Sequence, residues 1–434
     1  MGLLTARGMG AATIAGALLA TGQPALADAT TDRIAELERK LERSLQVIDQ
    51  LTRKVEQLES ARAPAATPAA PPPAAIEARV SGLEQQVSAI GSRSTVDDGL
   101  ALHGFADVGL RASRPGNRRG AALGNLDLFL APQFGSNVKA LVELVFETGE
   151  EGGIATDLER LQLGYTFSDT LTAWFGRFHV PYGYWNTAFH HGAQIQTSIL
   201  RPRFLDFEDR GGILPAHGVG LWGTGKVAAG NGKVSYDAYL VNSPRIALED
   251  PATPGTGVLD PNLAGATNHN ALVGGKVAYE FAGGLQGLTL GLHGFAMKVE
   301  DDATPVLRSR VRMLGGYGTW LEDNWEVLGE YYRFSDTNLD GASGSRASWA
   351  GYLQAGYAFG RWTPYARVER ASLDQADNYF AQQASGQSYD RGAIGLRFDV
   401  DARSALKVEL NRTRFTDRAT ARVNEARAQY AIRF

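Results

Sequence analysis

An alternation of apolar and polar residues with a period of two begins at Leu100 and persists to the last residue, Phe434. In its first stretch, Leu100, Leu102 and Val108 fall on one side of the alternation, while His103 and other polar residues fall on the opposite side. Successive side chains of a β-strand point to opposite faces, so the pattern predicts strands with one apolar and one polar face. No apolar run after the N-terminus reaches the ~20 residues that a membrane-spanning helix needs.

The alternation divides into about sixteen segments, and an even number is typical of single-chain bacterial barrels. The predicted strands cover residues 100–111, 123–133, 137–148, 157–168, 170–180, 216–228, 231–242, 269–282, 287–299, 309–320, 324–336, 347–359, 361–372, 388–400, 404–415 and 422–434. Links from even to odd strands are short, whereas odd-to-even links include the long segments 181–215, 243–268 and 373–387. Short periplasmic turns and longer outer loops alternate in this way in outer-membrane proteins. We therefore predict an all-β transmembrane fold, an antiparallel outer-membrane β-barrel over residues 99–434.

The N-terminal residues have the pattern of a secretory signal. Arg7 supplies a basic start, residues 10–20 are apolar, and Ala25-Leu26-Ala27 matches a small-x-small cleavage site. We predict a signal peptide over residues 1–27.

Residues 28–60 carry a heptad pattern. The a positions are Ile34, Leu41, Ile48 and Val55, and the d positions are Leu37, Ser44, Leu51 and Leu58. A stripe confined to a and d predicts self-association in a periplasmic coiled coil. β-branched a residues with leucine at d favour two strands in isolation, but we expect three because an attached barrel can override so short a preference.

Between this heptad block and the barrel lie two further segments. Residues 61–75 form a Pro/Ala linker that cannot continue the helix, and 76–98 contain a shorter second helical segment. A solvated tail is the alternative to helix, and for residues 76–98 the two hypotheses stand equal.

Composition excludes several function classes. The chain has no cysteine, which excludes thiolate catalysis, disulfides, cysteine metal sites and the Cys-x-x-Cys-His attachment of c-type haem. A formal net charge of −4 argues against a nucleic-acid partner. We predict no cofactor.

The last strand places Tyr430, Ile432 and Phe434 on one face, with phenylalanine at the terminus. This pattern resembles the C-terminal signal that the outer-membrane barrel assembly machinery recognises. We therefore expect that machinery as a partner.

Several segments resemble the phosphate-selective porin O/P family and its coiled-coil-bearing relatives. The strand and exit at 174–183 read Trp-Phe-Gly-Arg-Phe-His-Val-Pro-Tyr-Gly, and further similarities lie at 235–242, 275–279 and 329–332. The resemblance implies a sixteen-stranded homotrimeric porin whose third loop forms part of a constriction. Phosphate-type members carry lysine-rich surfaces, whereas this chain has few lysines, which puts phosphate specificity in doubt.

The predicted lumen face mixes both signs of charge. Its cations are Arg111, Lys139, Arg160, Arg177, Lys233, Lys276, Arg310, Arg312, Arg367, Arg391, Arg397, Lys407, Arg427 and Arg433. Its anions are Asp107, Glu143, Glu147, Asp237, Glu280, Glu326, Glu330, Glu369, Asp399 and Glu409. General pores use such opposite charges to orient water and solutes.

The link 181–215, the third of the odd-to-even links, is too long for an ordinary connection and is the candidate constriction. The residues proposed to line the constriction or contact solutes are Arg177, His190, His191, Arg201, Arg203, Asp206, Glu208, Arg210 and Arg367. Arginine suits anionic solutes because its planar fork can bind two oxygens. The equal alternative is that Arg203 or Arg210 pairs with Asp206, Glu208 or Asp209 and stiffens the loop.

The same loop contains residue types that bind metals or act as nucleophiles in other proteins, but not in the arrangement that such sites need. Adjacent histidines such as His190-His191 seldom both reach one metal ion, and the acidic cluster 206–209 lacks the ligand spacing of a calcium loop. Ser198 near His191 has no strand-to-helix elbow around it, so we predict neither a metal site nor an enzyme. Six tryptophans are expected at the membrane interfaces: Trp174, Trp222, Trp320, Trp325, Trp349 and Trp362.

The leading functional hypothesis is a porin in the outer membrane that passes small hydrophilic, including anionic, solutes. Its expected partners are outer-membrane lipid and the solutes themselves. One alternative is an envelope tether whose coiled coil binds peptidoglycan. The other is a barrel that sheaths a separate cytochrome in an electron conduit.

Overall fold

The computed structural model describes residues 102–115, 119–148, 153–189, 192–208, 212–250, 252–253, 255–261, 270–416 and 422–434. The predicted signal peptide, coiled coil, linker and second helical segment lie outside the described residues. They remain predictions.

Within the described residues, the chain forms a closed antiparallel barrel of sixteen long strands. The strands are β1 (His103–Arg114), β2 (Arg119–Leu130), β3 (Gln133–Phe134), β4 (Val138–Thr148), β5 (Ile154–Ser168), β6 (Leu171–His179), β7 (His217–Ala229), β8 (Gly232–Asn242), β9 (Arg245–Ala247), β10 (Val258–Asp260), β11 (Ala271–Glu280), β12 (Leu288–Glu300), β13 (Arg308–Glu322), β14 (Trp325–Asn338), β15 (Gly344–Tyr357), β16 (Trp362–Ser372), β17 (Tyr389–Asp401), β18 (Ser404–Phe415) and β19 (Arg422–Arg433). The short β3 pairs with β4 beside β2, and β9 pairs with β10 in a separate two-stranded sheet. The predicted fold class is confirmed for the barrel.

The barrel closes between its first and last strands. β1 pairs antiparallel with β19 from Phe105 opposite Arg433 to Arg114 opposite Asn424. The backbone N–H of Phe434 donates to the Gly104 carbonyl at 3.0 Å, and the Gly104 N–H donates to the Phe434 carbonyl at 3.1 Å. Because each long strand has a partner on both sides, no sheet edge is left to be satisfied in lipid.

Strand positions agree with the sequence pattern, and the ends differ by a few residues. The largest shift is in β2, which begins at Arg119 rather than residue 123. A register irregularity between Ala106 and Val108 in the pairing of β1 with β2 adds a residue there, which alternation alone does not show.

Two predicted orientations are wrong. Arg310 and Arg312 were expected in the lumen, but their neighbours Val311 and Met313 are the buried residues on the inner face, so both arginines point outward. Trp174 and Trp222 were expected at membrane interfaces, but their rings stack at 6.1 Å and the Trp222 indole donates to Asp237 at 2.9 Å.

Aromatic residues mark the end of the barrel that has the short turns. Trp320, Trp325 and Trp362 are each about half exposed there, as expected for interface residues.

The described loops contain two short α-helices, α1 (Trp185–Ala188) and α2 (Asn378–Ala381). Among the described residues, no helix has the length and apolar character needed to cross a membrane.

Candidate pore constriction

The link between β6 and β7, residues 180–216, is called here the third loop. Its two ends meet where the Val180 N–H donates to the Ala216 carbonyl at 2.9 Å. The fully buried Asn186 amide donates to both carbonyls, at 3.0 Å to Val180 and 2.9 Å to Ala216. Asn186 was not singled out from the sequence, since a single amide in α1 gives no signal of the carbonyls it ties together.

Glu330 on β14 fixes the first half of the loop to the inner wall. Its carboxylate accepts the backbone N–H groups of Tyr184 and Trp185 at 2.9 and 2.8 Å. It also accepts the hydroxyls of Tyr332 and Tyr352 at 2.7 and 2.8 Å. Four donors converge on one buried carboxylate, which compensates the cost of removing its charge from water.

Gly183 allows this close approach. Its φ of +58° is in the left-handed region, and a Cβ there would collide with the Glu330 carboxylate and the Tyr332 hydroxyl. The Pro-aromatic-Gly sequence at residues 181–183 therefore has a physical role, because only glycine lets the backbone turn against Glu330.

The middle of the loop is held through its backbone. Arg397 donates to the carbonyls of Gln194 and Gln196 at 2.6 and 2.8 Å. Glu409 accepts the N–H groups of Ile199 and Leu200 at 2.9 and 3.4 Å. Two further wall residues reach residues 193–198: Lys407 donates to the carbonyls of Ala193 and Ser198, and Glu326 accepts from the Thr197 hydroxyl.

Arg367 on β16 organises the second half. Its guanidinium donates to Glu369 at 2.8 Å, to the Ser198 hydroxyl at 2.9 Å, to the Gln354 side chain at 3.0 Å and to the Arg201 carbonyl at 3.2 Å. Its side chain is completely buried. Glu369 in turn accepts the Arg203 N–H at 2.7 Å.

Aromatic packing completes the contact between loop and wall. Trp185 meets Tyr352 edge-on, with ring centroids 5.6 Å apart, and Phe204 meets Tyr332 at 5.2 Å. All four rings are buried in a cluster that also contains inner-face residues of β12 and β13. The third loop thus lies against the wall formed by β12–β18.

Ion pairs between Glu208, His217 and Glu159 hold the exit of the loop. Glu208 accepts the His217 N–H at 2.6 Å and contacts its Nδ1 at 3.0 Å, while Glu159 lies 2.7 Å from Nε2. Burial by itself would raise the pKa of Glu208. The attraction and hydrogen bonds of His217 overcome burial and hold the pKa of that carboxyl below its usual 4.5.

The ion pair between Glu208 and His217 should therefore persist at neutral and mildly acidic pH. A carboxyl whose folded-state pKa is depressed contributes stability above its unfolded pKa and loses it as pH falls through the folded value. We expect a conductance that stays constant from neutral pH to below the usual carboxyl pKa and rises only as pH falls through the depressed pKa of Glu208. Recording Glu208→Gln alongside the unchanged protein tests this, because the variant should show the higher conductance already at pH 7. Equal pH profiles for the two proteins would contradict it.

The structure separates the predicted site residues into three groups. Arg201, Glu208 and Arg367 are buried, so direct solute contact does not fit them in this conformation. Arg177, Arg203 and Asp206 are half-buried. His190, His191, Asp209 and Arg210 lie outside the described residues.

The half-buried residues are also engaged. The Arg177 guanidinium donates to the Glu159 carbonyl at 3.0 Å. The Arg203 guanidinium donates to Ser385 and lies over the rings of Tyr389 and Phe415. Within the described residues Arg203 forms no ion pair with Asp206 or Glu208, because its N–H donates to Glu369 and its guanidinium donates to Ser385. The alternative pairings that involve Arg210 or Asp209 lie outside the described residues.

Charged side chains on the opposite wall remain accessible to solvent. Arg111 on β1 is exposed, and Asp107 on β1 and Lys139 on β4 are half-buried. Arg111 and Asp107 face the lumen, because they alternate along β1 with outward residues such as Leu110. Asp237 on β8 and Lys276 on β11 also face the lumen, but they pair with each other at 3.3 Å and are largely buried. This wall carries both signs of charge, as the sequence predicts.

The geometry around Ser198 does not fit a nucleophile. Its hydroxyl donates to the Leu200 carbonyl at 3.0 Å and accepts from Arg367, which holds it in the loop anchor. Across the described ranges, no group of three or more His, Cys, Asp or Glu side chains is placed to hold a metal ion.

Solved structures with a similar fold are outer-membrane porins. The anion-selective porin from Comamonas acidovorans matches with a TM-score of 0.51 and 13% identity, over 77% of this chain and 99% of that chain. The outer membrane channel DcaP of Acinetobacter baumannii matches with a TM-score of 0.50 and 11% identity, over 77% of this chain and 97% of that chain. No protein-family model and no curated protein matches the chain. At these identities the likeness shows the porin fold.

Proposed function

We propose that this protein is an outer-membrane porin through which small hydrophilic solutes diffuse passively. The observation that carries the proposal is the position of the third loop, which is fixed to one wall and leaves the charged opposite wall accessible. A barrel of sixteen strands is wide enough for an aqueous channel around such a loop. The loop then acts as a constriction rather than a plug.

We propose that ion selectivity depends on the opposite wall and not on the loop arginines. Arg201 and Arg367 are buried, whereas Arg111 is exposed on the inner face and forms no ion pair within the described residues. The two porin-fold structures named above include one described as anion-selective. A modest preference for anions, centred on Arg111, is the selectivity this wall supports.

Replacing Arg111 with glutamate should shift selectivity toward cations. The substitution changes the charge of the accessible wall by two units and leaves the wall residues that bind the third loop, such as Glu330 and Arg367, unchanged. Reversal potentials in a salt gradient across a planar bilayer measure the shift. Arg114→Glu is the matched control, because Arg114 is exposed on the outward face of the same strand and should leave the reversal potential unchanged. Equal shifts for both variants, or none for Arg111→Glu, would contradict the assignment.

We propose kinship with the phosphate-selective porin O/P family on the motif at residues 174–183. Gly183 in this motif lets the backbone pass close to Glu330, which explains the glycine without any role for phosphate. The mixed charges of the open wall favour a general pore over a phosphate-specific one.

We also propose that three copies assemble and that the heptads of residues 28–60 contribute a periplasmic coiled coil. The strict a/d pattern supports self-association. Tyr430 and Phe434, exposed on the outward side of the last strand, support a role as the barrel-assembly signal. If the chain were chiefly a peptidoglycan tether, deletion of residues 28–98 would impair the envelope and leave solute flux intact.

A further inference from the structure

A group of basic side chains lies on the outward face of the barrel, near the end with the long loops. It consists of Arg310 and Arg312 on β13, Arg333 on β14 and Lys298 on β12, and is called here the outer cation cluster. The three arginines are exposed and Lys298 is half-buried. Their sequence neighbours Val311, Met313 and Phe334 are buried on the inner face, which fixes the outward direction.

The register brings these four side chains together. Arg310 is directly opposite Lys298, and Arg333 is opposite Leu314, which puts it diagonal to Arg312. Opposite residues have Cβ atoms about 5 Å apart and diagonal neighbours about 7–8 Å apart. Long basic side chains at these spacings can reach one multiply charged anion together.

Within the described residues, Arg310, Arg312 and Arg333 form no salt bridge. Two outward carboxylates at the rim lie beside Arg308: Asp340 accepts two hydrogen bonds from it, of 2.7 and 2.9 Å, and Glu300 is opposite it in the register. Like charges side by side on a sheet are destabilising, so binding of an external anion would relieve the repulsion within the cluster.

An apolar groove lies between the cluster and the short turns, and its lining begins at Tyr331, two residues from Arg333 on β14. Leu292, Gly316, Gly318 and Tyr331 line it, and its volume is about 870 Å³. The outward glycines lower the surface between the larger side chains. Cations above an apolar groove on a lipid-facing wall match a molecule with an anionic head and hydrocarbon chains.

We propose that the outer cation cluster and this groove bind a phosphorylated lipid of the outer leaflet. The inference rests on the proposed outer-membrane location. The arginines bind phosphate oxygens, for which the guanidinium fork is suited, and an acyl chain lies in the groove. A second copy of this chain is a poorer occupant. Its outward face at the loop end presents more arginines, among them Arg370, Arg412 and Arg414.

The test uses the refolded full-length protein in neutral detergent, with bisphosphorylated lipid A as the probe and native mass spectrometry as the readout. We expect Arg310→Gln, Arg312→Gln and Arg333→Gln, combined, to weaken binding by about fivefold for each cation removed, roughly a hundredfold in total. The matched control combines Arg370→Gln, Arg412→Gln and Arg414→Gln, which removes the same charge from β16 and β18. Equal weakening by both triple variants, or undiminished binding by the first, would overturn the proposal.

Two further measurements separate the possible outcomes. Millimolar inorganic phosphate should not compete, and lipid A without phosphates should bind poorly, if head group and chain are both recognised. Effective competition by phosphate would overturn the lipid assignment. Single-channel conductance of the first triple variant should equal that of the unchanged protein, which verifies its fold. Lipid binding by a protein that conducts no ions would refute the porin function and leave this site standing.

Discussion

Glu330→Ala should increase single-channel conductance and add switching between current levels. The substitution leaves two buried backbone N–H groups, those of Tyr184 and Trp185, and two tyrosine hydroxyls without their acceptor. Each unpaired buried donor costs roughly 1–3 kcal/mol, so the first half of the third loop should leave the wall and move in the lumen. Planar-bilayer recording measures the conductance, and urea unfolding measures the accompanying loss of stability.

Two variants make this result specific. Gly183→Ala should give the same conductance change by another route, because its Cβ would displace the Glu330 carboxylate. Glu280→Ala is the control, since that carboxylate is about half exposed and pairs with Lys226, an exposed lysine at the short-turn end. Conductance of Glu330→Ala equal to that of Glu280→Ala would show that the loop does not depend on this anchor.

Arg367→Ala should have the second large effect, through the other half of the loop. The arginine joins Glu369, Gln354, Ser198 and the Arg201 carbonyl, so its removal leaves the buried Glu369 partly uncompensated. Breaking a buried ion pair by removing one partner costs about 3–5 kcal/mol, and we expect lower stability together with higher conductance. Arg367→Lys should recover only part of both, because lysine lacks the fork that spans these acceptors.

The control for Arg367 lies three residues away on the same strand. Arg370 points outward and is mostly exposed, so Arg370→Ala should change neither the urea midpoint nor the conductance appreciably. Similar losses in both variants would mean that any cation on β16 is needed for the barrel, and that Arg367 has no particular role in holding the loop.

The barrel could be predicted from the sequence because its signals are local. Period-two alternation gives the strands, and the alternation of short and long links gives their order and the position of the third loop. The rule that the apolar face points to lipid fails at β13. There the loops fill the interior, so Val311 and Met313 face inward and Arg310 and Arg312 face outward.

The loop anchors could not be predicted because their partners are far apart along the chain. Glu409 accepts from Ile199 across 210 positions, and Glu330 accepts from Tyr184 across 146. A list of lumen charges cannot distinguish a side chain that lines water from one that holds a loop. Arg367 and Arg391 belong to the second kind, because both donate to the Arg201 carbonyl, at 3.2 and 3.5 Å, although both fit the alternation expected of pore-lining residues.

The most direct test of the channel is single-channel recording of the refolded full-length protein in a planar bilayer. We expect insertion events that conduct in three equal steps, with a weak preference for anions and higher step size once Glu330 is replaced. A correctly folded protein that inserts but carries no current would contradict the account, because the lumen beside the third loop would then be closed.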